Sequence, residues 1–334
     1  MKMKPNEHIL YIATHGLGDL IMSLPAIEFL SDQGYRLTVL VKDKTQKEYL
    51  EYTTSFKQCD VLVLDEHLKL GRIRGKVLLI WKLWSSRFAA AIPQMNLSER
   101  LFNLLLRLAF VRKRKLSVLV LKTALDSSPR VGNKHKVDFN IEMAAKIINA
   151  SPPQMPTPVW SSRPVQSKLA PRIALAPGSG EIEAFKRWPA SLYADLSKKI
   201  LFFFPNADIQ LYGTPTEVKL CRDIEKQSDG AASFEGLGSA SDLYDSLKAS
   251  NICISSCNGA SHVAAHAGAS VIVINGPSNL AFTGAYCSER FEVTNNLECS
   301  PCYRPDFITG CGNPICITEV DVDSVVKVVR HILN

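Results

Sequence analysis

Residues 9–19 read Ile-Leu-Tyr-Ile-Ala-Thr-His-Gly-Leu-Gly-Asp. Six uncharged residues lead into a turn with two glycines and an acid. An apolar-periodic run to Leu30 follows. This is the pattern of a buried strand passing through a tight turn into a helix. The same pattern returns at Arg172–Ala176, followed by Pro177-Gly178-Ser179-Gly180. Between the two starts, strands are expected at Leu37–Val41, Val61–Leu64, Val77–Ile80 and Val118–Leu121. After the second start they are expected at Asp208–Tyr212, Ile252–Ser255 and Ser270–Asn275. Helices are expected over Trp188–Phe203, Ser241–Ala249, Gly259–Ala267 and Val320–Leu333.

Strands alternating with helices imply parallel sheets covered on both faces. Ser151–Pro164 carries five prolines and reads as a linker. The expectation is therefore an α/β chain of two Rossmann-like domains, 1–160 and 161–334, with the terminal helix free to return to the first. Ligands of such sheets sit beyond the carboxyl ends of the strands. With two halves, that place becomes a cleft.

The 334 residues, 46% of them hydrophobic, suffice for two cores. The net charge is +7 and unevenly spread. Positions 71–122 hold 12 Lys and Arg against one acid, Glu99. A general nucleic-acid binder is more often basic throughout, so no nucleic-acid partner is expected. The local basic stretch suits an anionic membrane surface, or a buried helix with a solvated basic end. Met1 to Glu7 is polar and Ile9–Ala13 is too short for a secretory core. A cytoplasmic location is expected, peripheral on the inner face of the inner membrane.

The motifs have chemical and plainer readings. The glycines Gly16 and Gly18 let backbone approach a ligand, but position 21 is Ile21, so the dinucleotide fingerprint is incomplete. Asp19 suits a first-turn helix acid, or a base that takes a proton from a hydroxyl. Gly178, Ser179, Gly180 and Lys186 can hold a diphosphate, or form an ordinary loop with a solvated lysine. Asn258 and Gly259 open a helix after a strand. His262 and His266 share a helix face, but Val263 stands where a zincin needs Glu. Cys299, Cys302, Cys311 and Cys316 can form a tetrahedral thiolate site for Zn or Fe, pair as disulfides, or remain free thiols. Asp321-Val322-Asp323 reads as helix-start chemistry.

Taken in order, these pieces resemble the heptosyltransferases of glycosyltransferase family 9. The carriers are Gly18-Asp19 with Pro25, Lys186-Arg187-Trp188-Pro189, Gly213-Thr214-Pro215-Thr216-Glu217, Cys257-Asn258-Gly259-Ala260-Ser261-His262 and Gly276-Pro277. The resemblance spans about residues 8 to 330. It implies a GT-B fold with parallel sheets facing a central cleft, and ADP held by the second half. Lys186 would meet the phosphates, beside Ser179 and the Asn258-Gly259 turn. Glu217 would approach the ribose, and Leu237-Gly238 the base. Asp19 would be the general base. The donor implied is ADP-heptose and the acceptor a lipopolysaccharide core, with no cofactor required for transfer. Cys257 replaces the family's Asp near the donor, which leaves the donor sugar open. The cysteine cluster resembles the metal finger of a subgroup that glycosylates autotransporter proteins, so a protein acceptor stays open. A nucleotide-sugar epimerase and a non-catalytic binder are the alternatives from other classes.

Overall fold

The computed structural model describes residues 3–54, 56, 59–65, 74–94, 107, 109, 111, 134–153, 160, 163, 170–234, 236, 238–302 and 311–334. The chain forms two compact units, Met1–Met155 and Pro156–Asn334. The division falls slightly before the expected 160/161 boundary. The reason is local: Trp160 already bridges to Cys287, and the Arg163 N–H donates to the Gly268 carbonyl at 2.8 Å.

In unit 1, strands β1 (His8–Ala13), β2 (Arg36–Val41), β3 (Cys59–Val63) and β4 (Ala90–Pro93) form a parallel sheet in the order β3-β2-β1-β4. β1 lies between β2 and β4 and is almost wholly buried. That explains its uncharged sequence, since a central parallel strand is covered on both faces. Leu10, Ile12, Leu40, Leu79, Leu83, Phe88 and Ala91 pack together in one core.

One expectation in this unit changes. Val77–Ile80 is not a strand; it lies in the helix Arg74–Ser85. A short run of Val-Leu-Leu-Ile suits either structure by periodicity. Leu79 and Leu83, four apart, both face the core, and that helical spacing decides it. The fourth strand is Ala90–Pro93 instead. The strand expected at Val118–Leu121 lies outside the described residues.

In unit 2, β5 (Arg172–Ala176), β6 (Asp208–Leu211), β7 (Ser233–Phe234), β8 (Ile252–Ser255), β9 (Ser270–Ile274) and β10 (Arg290–Val293) form a second parallel sheet. Its order is β10-β9-β8-β5-β6-β7. The step from β7 to β8, across the sheet past β5 and β6, makes a topological switch beside β5 and β8, where such sheets bind ligands. The terminal helix Val322–Leu333 buries Val325, Val326, Val329 and Leu333 in the core of unit 2. It therefore packs on the core of this unit. Asp321 caps it by accepting from the Ser324 N–H, as its sequence position suggested.

Trp188 joins the 181–186 turn to this core. Its side chain is fully buried, stands edge-on to Tyr193 at 4.9 Å, and donates its indole N–H to the Val320 carbonyl at 3.0 Å. Trp188→Ala is expected to cost about 3–5 kcal/mol in urea unfolding, as large aromatic truncations do. Trp188→Phe keeps most of the packing and is expected to lose about 1 kcal/mol with the hydrogen bond.

Candidate active site

Each unit gathers polar side chains at the carboxyl ends of its strands. In unit 1, β1 ends at Ala13 and the chain turns through His15-Gly16 into the short helix Leu17–Ile21. Asp19 sits in its first turn. Its carboxylate Oδ1 accepts from the Lys136 ammonium at 2.7 Å, and the lysine side chain is 9% exposed against 26% for the aspartate. Lys136 is the first residue of the helix Lys136–Ile148, capped by His135. A cation at a helix N-terminus opposes the helix dipole. Asp19 offsets that cost, and the pair fixes the carboxylate's direction. Sequence reading missed Lys136, because 117 positions separate it from its partner.

His15 stands beside this pair. Its backbone N–H and its ring Nδ1 both face Gln94 Oε1 at 3.3 Å, and Gln94 follows β4 directly. Gln46 donates to the His15 carbonyl, and its own carbonyl accepts from the Lys42 N–H. Burial holds the His15 ring below the usual imidazole range. Asp19 pulls it back up, while Lys136 and Lys42 push it further down. Gln94, Gln46 and His15 thus brace the turn that carries Gly18 and Asp19.

In unit 2, the loops after β5, β6 and β8 interlock. The Asn258 side chain accepts from the Ser261 N–H and caps the helix Gly259–Ala267. Its amide donates to the Ala176 carbonyl at 3.2 Å and to the Gly178 carbonyl at 2.7 Å. Glu217 presses on the other side. A Cβ at Gly178 would fall 2.0 Å from Glu217 Oε1, so only glycine fits there. Glu217 Oε2 accepts from the Thr214 N–H and hydroxyl, both at 2.8 Å, in a capping box. Gly238 meets a similar constraint, with Asp242 Oδ2 at 1.9 Å from the position of its missing Cβ. Leu237 lies outside the described residues.

Lys186 ends the turn Glu181–Lys186 and is 5% exposed. Its ammonium meets Glu183 Oε1 at 2.6 Å. Ser179 is also buried; its hydroxyl donates to the Glu183 carbonyl and accepts from Arg187. Gly180 precedes this turn as its N-terminal flanking residue. Cys257 is half-buried, with its thiol 3.8 Å from the Thr283 carbonyl. Burial pushes that thiol up, Lys186 pulls it down, and Glu183 adds to the rise. The structure therefore brings Lys186, Glu183 and Cys257 into one electrostatic neighbourhood. Glu183 is a second residue that the sequence motifs did not single out. His262, expected on the donor side, is buried in the helix 259–267. His266 packs between Trp160 and Tyr244, and burial pushes it down to about 4.

The four clustered cysteines carry free thiols. Cys299 and Cys311 are exposed, Cys302 is intermediate and Cys316 is buried. Burial raises the Cys316 thiol first, and Cys302, Cys299 and Cys311 each add to the rise. Among the described residues, no three His, Cys, Asp or Glu side chains gather as metal ligands.

The model of glycosyltransferase family 9 (heptosyltransferase) matches residues 107–310. The E. coli heptosyltransferase WaaC with ADP superposes with a TM-score of 0.70 at 15% identity, covering 97% of this chain and 99% of that one. A family 9 glycosyl transferase from Veillonella parvula gives 0.71 at 15% identity, covering 99% of both chains. The iron-containing dodecameric glycosyltransferase TibC from enterotoxigenic E. coli gives 0.57 at 15% identity, covering 99% of this chain and 77% of that one. No curated protein matches the chain. At these identities the likenesses show the fold, which is GT-B.

The His15 site gives a test that needs no turnover. Lys136→Met removes a cation that depresses the ring, so the His15 midpoint in an NMR titration is expected to rise. Asp19→Asn removes the opposing anion, so the midpoint is expected to fall. A neutral ring favoured by the fold stabilises it fully above the free-imidazole value of 6.5. That contribution is lost as pH falls through the lower folded value. No movement in either variant would show that the three groups do not share a site.

Proposed function

The chain belongs to glycosyltransferase family 9, and from that premise we propose that it transfers a heptose from ADP-heptose to a hydroxyl of a lipopolysaccharide core. The family is one of transferases, so the epimerase alternative lapses. The observation that carries the reading is the Asp19 carboxylate, partly exposed at the end of β1 and held by Lys136 at 2.7 Å. A base for an alcohol must be oriented and reachable, and the Lys136 contact and partial exposure of Asp19 support both.

The proposed reaction is a single displacement with inversion. The acceptor oxygen forms a bond to the anomeric carbon as the bond from that carbon to the diphosphate oxygen breaks. The hydroxyl proton passes to Asp19, and ADP leaves with the electron pair. Lys186 and the backbone N–H groups of the Gly259–Ala267 helix start would take the charge that develops on the leaving phosphate. Glu217 would face the ribose with Oε1, since its Thr214 contacts use Oε2. These groups neutralise the diphosphate without a divalent cation in the proposed mechanism. Support for ADP as the nucleotide comes from WaaC, which is seen with ADP, and TibC, seen with ADP-D-β-D-heptose.

Cys257 changes the donor end. A neutral thiol makes a weak hydrogen-bond acceptor where relatives place a carboxylate. Glu183 stands in the same neighbourhood and is the carboxylate that would meet the donor sugar. The basic stretch 71–122 is proposed to hold the chain at the inner face of the inner membrane, where a lipid-linked acceptor resides.

Calorimetry and a transfer assay test the reading together. ADP is expected to bind more tightly than UDP. Asp19→Ala is expected to bind ADP like the parent protein and to lose transfer by at least about 100-fold, the range of general-base catalysis. Transfer near the parent rate would remove Asp19 from the chemistry. Lys186→Ala is expected to weaken ADP binding by about tenfold or more, the loss of one charge-assisted contact. Unchanged ADP affinity would exclude its phosphate role.

A further inference from the structure

The helix Arg74–Ser85 is apolar on two opposite sides. Leu79 and Leu83 are buried in the core of unit 1. On the other side Val77, Ile80, Trp81 and Trp84 are exposed, with Trp81 at 61% and Trp84 at 58%. At the helical repeat these four fall within an arc of about 100°, pointing away from Leu79 and Leu83. A helix that is hydrophobic all round belongs inside a core or a bilayer. This one has a core on one side only. Single exposed apolar residues need no explanation, but a contiguous face with two indoles does.

Charge selects what covers that face. Lys82 lies on the same helix, Arg87 is exposed just after it, and the stretch 71–122 carries 12 cations against Glu99. A second copy of this chain would bring like charge against like charge. An anionic lipid surface complements it, with bases at the headgroups and indoles at the acyl boundary. Trp suits that depth because its ring is apolar and its N–H stays hydrated. The helix has 12 residues, and no helix among the described residues is long and apolar enough to cross a membrane. The contact is therefore interfacial.

We propose that the Val77–Trp81–Trp84 face of the helix Arg74–Ser85 seats in the headgroup region of an anionic bilayer. This rests on the membrane contact proposed for the basic stretch and localises its apolar part. It does not depend on the donor, the acceptor or Asp19.

The test uses the full chain and vesicles of phosphatidylcholine with or without phosphatidylglycerol. The parent protein is expected to co-sediment with the anionic vesicles, with a blue shift of tryptophan emission. The double variant Trp81→Ser, Trp84→Ser is expected to bind at least about tenfold more weakly and to lose the shift. Its melting temperature should stay near the parent value, because both side chains are at the surface. A second variant with Arg112, Lys113, Arg114 and Lys115 all changed to Ala separates the two readings. If it loses binding while the Trp variant keeps it, the basic stretch stands and the helix face is overturned. If the parent binds no anionic vesicle, both readings fall. If the Trp variant instead converts a dimer to a monomer with vesicle binding unchanged, the face joins two copies and the proposal is overturned.

Discussion

One amide group holds the loops of unit 2 together. Asn258 caps the Gly259–Ala267 helix with its oxygen and grips the Ala176 and Gly178 carbonyls with its nitrogen. β5 and β8 are adjacent in the sheet, and this side chain welds their exits into one surface. Glu217 then closes the third side against Gly178, while its other oxygen anchors the turn after β6. Three loops from three strands lose their independence through two side chains. Conformational freedom removed before a ligand arrives does not have to be removed on binding. Asn258 thus acts first as a fastener, and the helix start it creates is the polar surface to which the proposed function assigns a phosphate.

Unit 1 solves a related problem with charge. The Leu17–Ile21 helix is a single short turn and has little rigidity of its own. Its acid is held from outside by Lys136, while Gln94 and Gln46 hold the backbone at His15. The lysine sits where the helix field disfavours it, with most of its surface withdrawn from water. The Asp19 carboxylate at 2.7 Å offsets that placement.

Much of this architecture was readable from residue patterns. The uncharged β1 and β5 runs, each followed by glycines, located both sheets, and the capping chemistry of Asp321 was plain. The failures have physical causes. Val77–Ile80 is too short for periodicity to choose between strand and helix, and the deciding partners Leu83 and Phe88 act through packing. Lys136 and Glu183 stand in no motif, because an ion pair across 117 positions, or one made by a turn's own geometry, leaves no spacing signature. Trp188 shows the reverse. It belongs to a recognisable motif, yet its indole serves the core and the Val320 carbonyl rather than a ligand. Local patterns reveal elements, whereas the partners that tune a site arrive through the fold.

On the phosphate role proposed for Lys186, its contact with Glu183 means that the seat is already occupied. A ligand gains only the difference between its own attraction to the ammonium and that of the carboxylate it displaces. A singly charged anion offers little more than Glu183 does, so it gains almost nothing by entering. A diphosphate brings greater charge and more oxygens, and it can take the ammonium while the freed carboxylate turns to other hydrogen-bond donors. The pair is then a threshold on ligand valence: abundant small anions of the cell are screened out by a side chain that is always present at unit effective stoichiometry. Discrimination of this kind needs no shape recognition, and it weakens with ionic strength less than at a surface lysine, because the Lys186 side chain is buried.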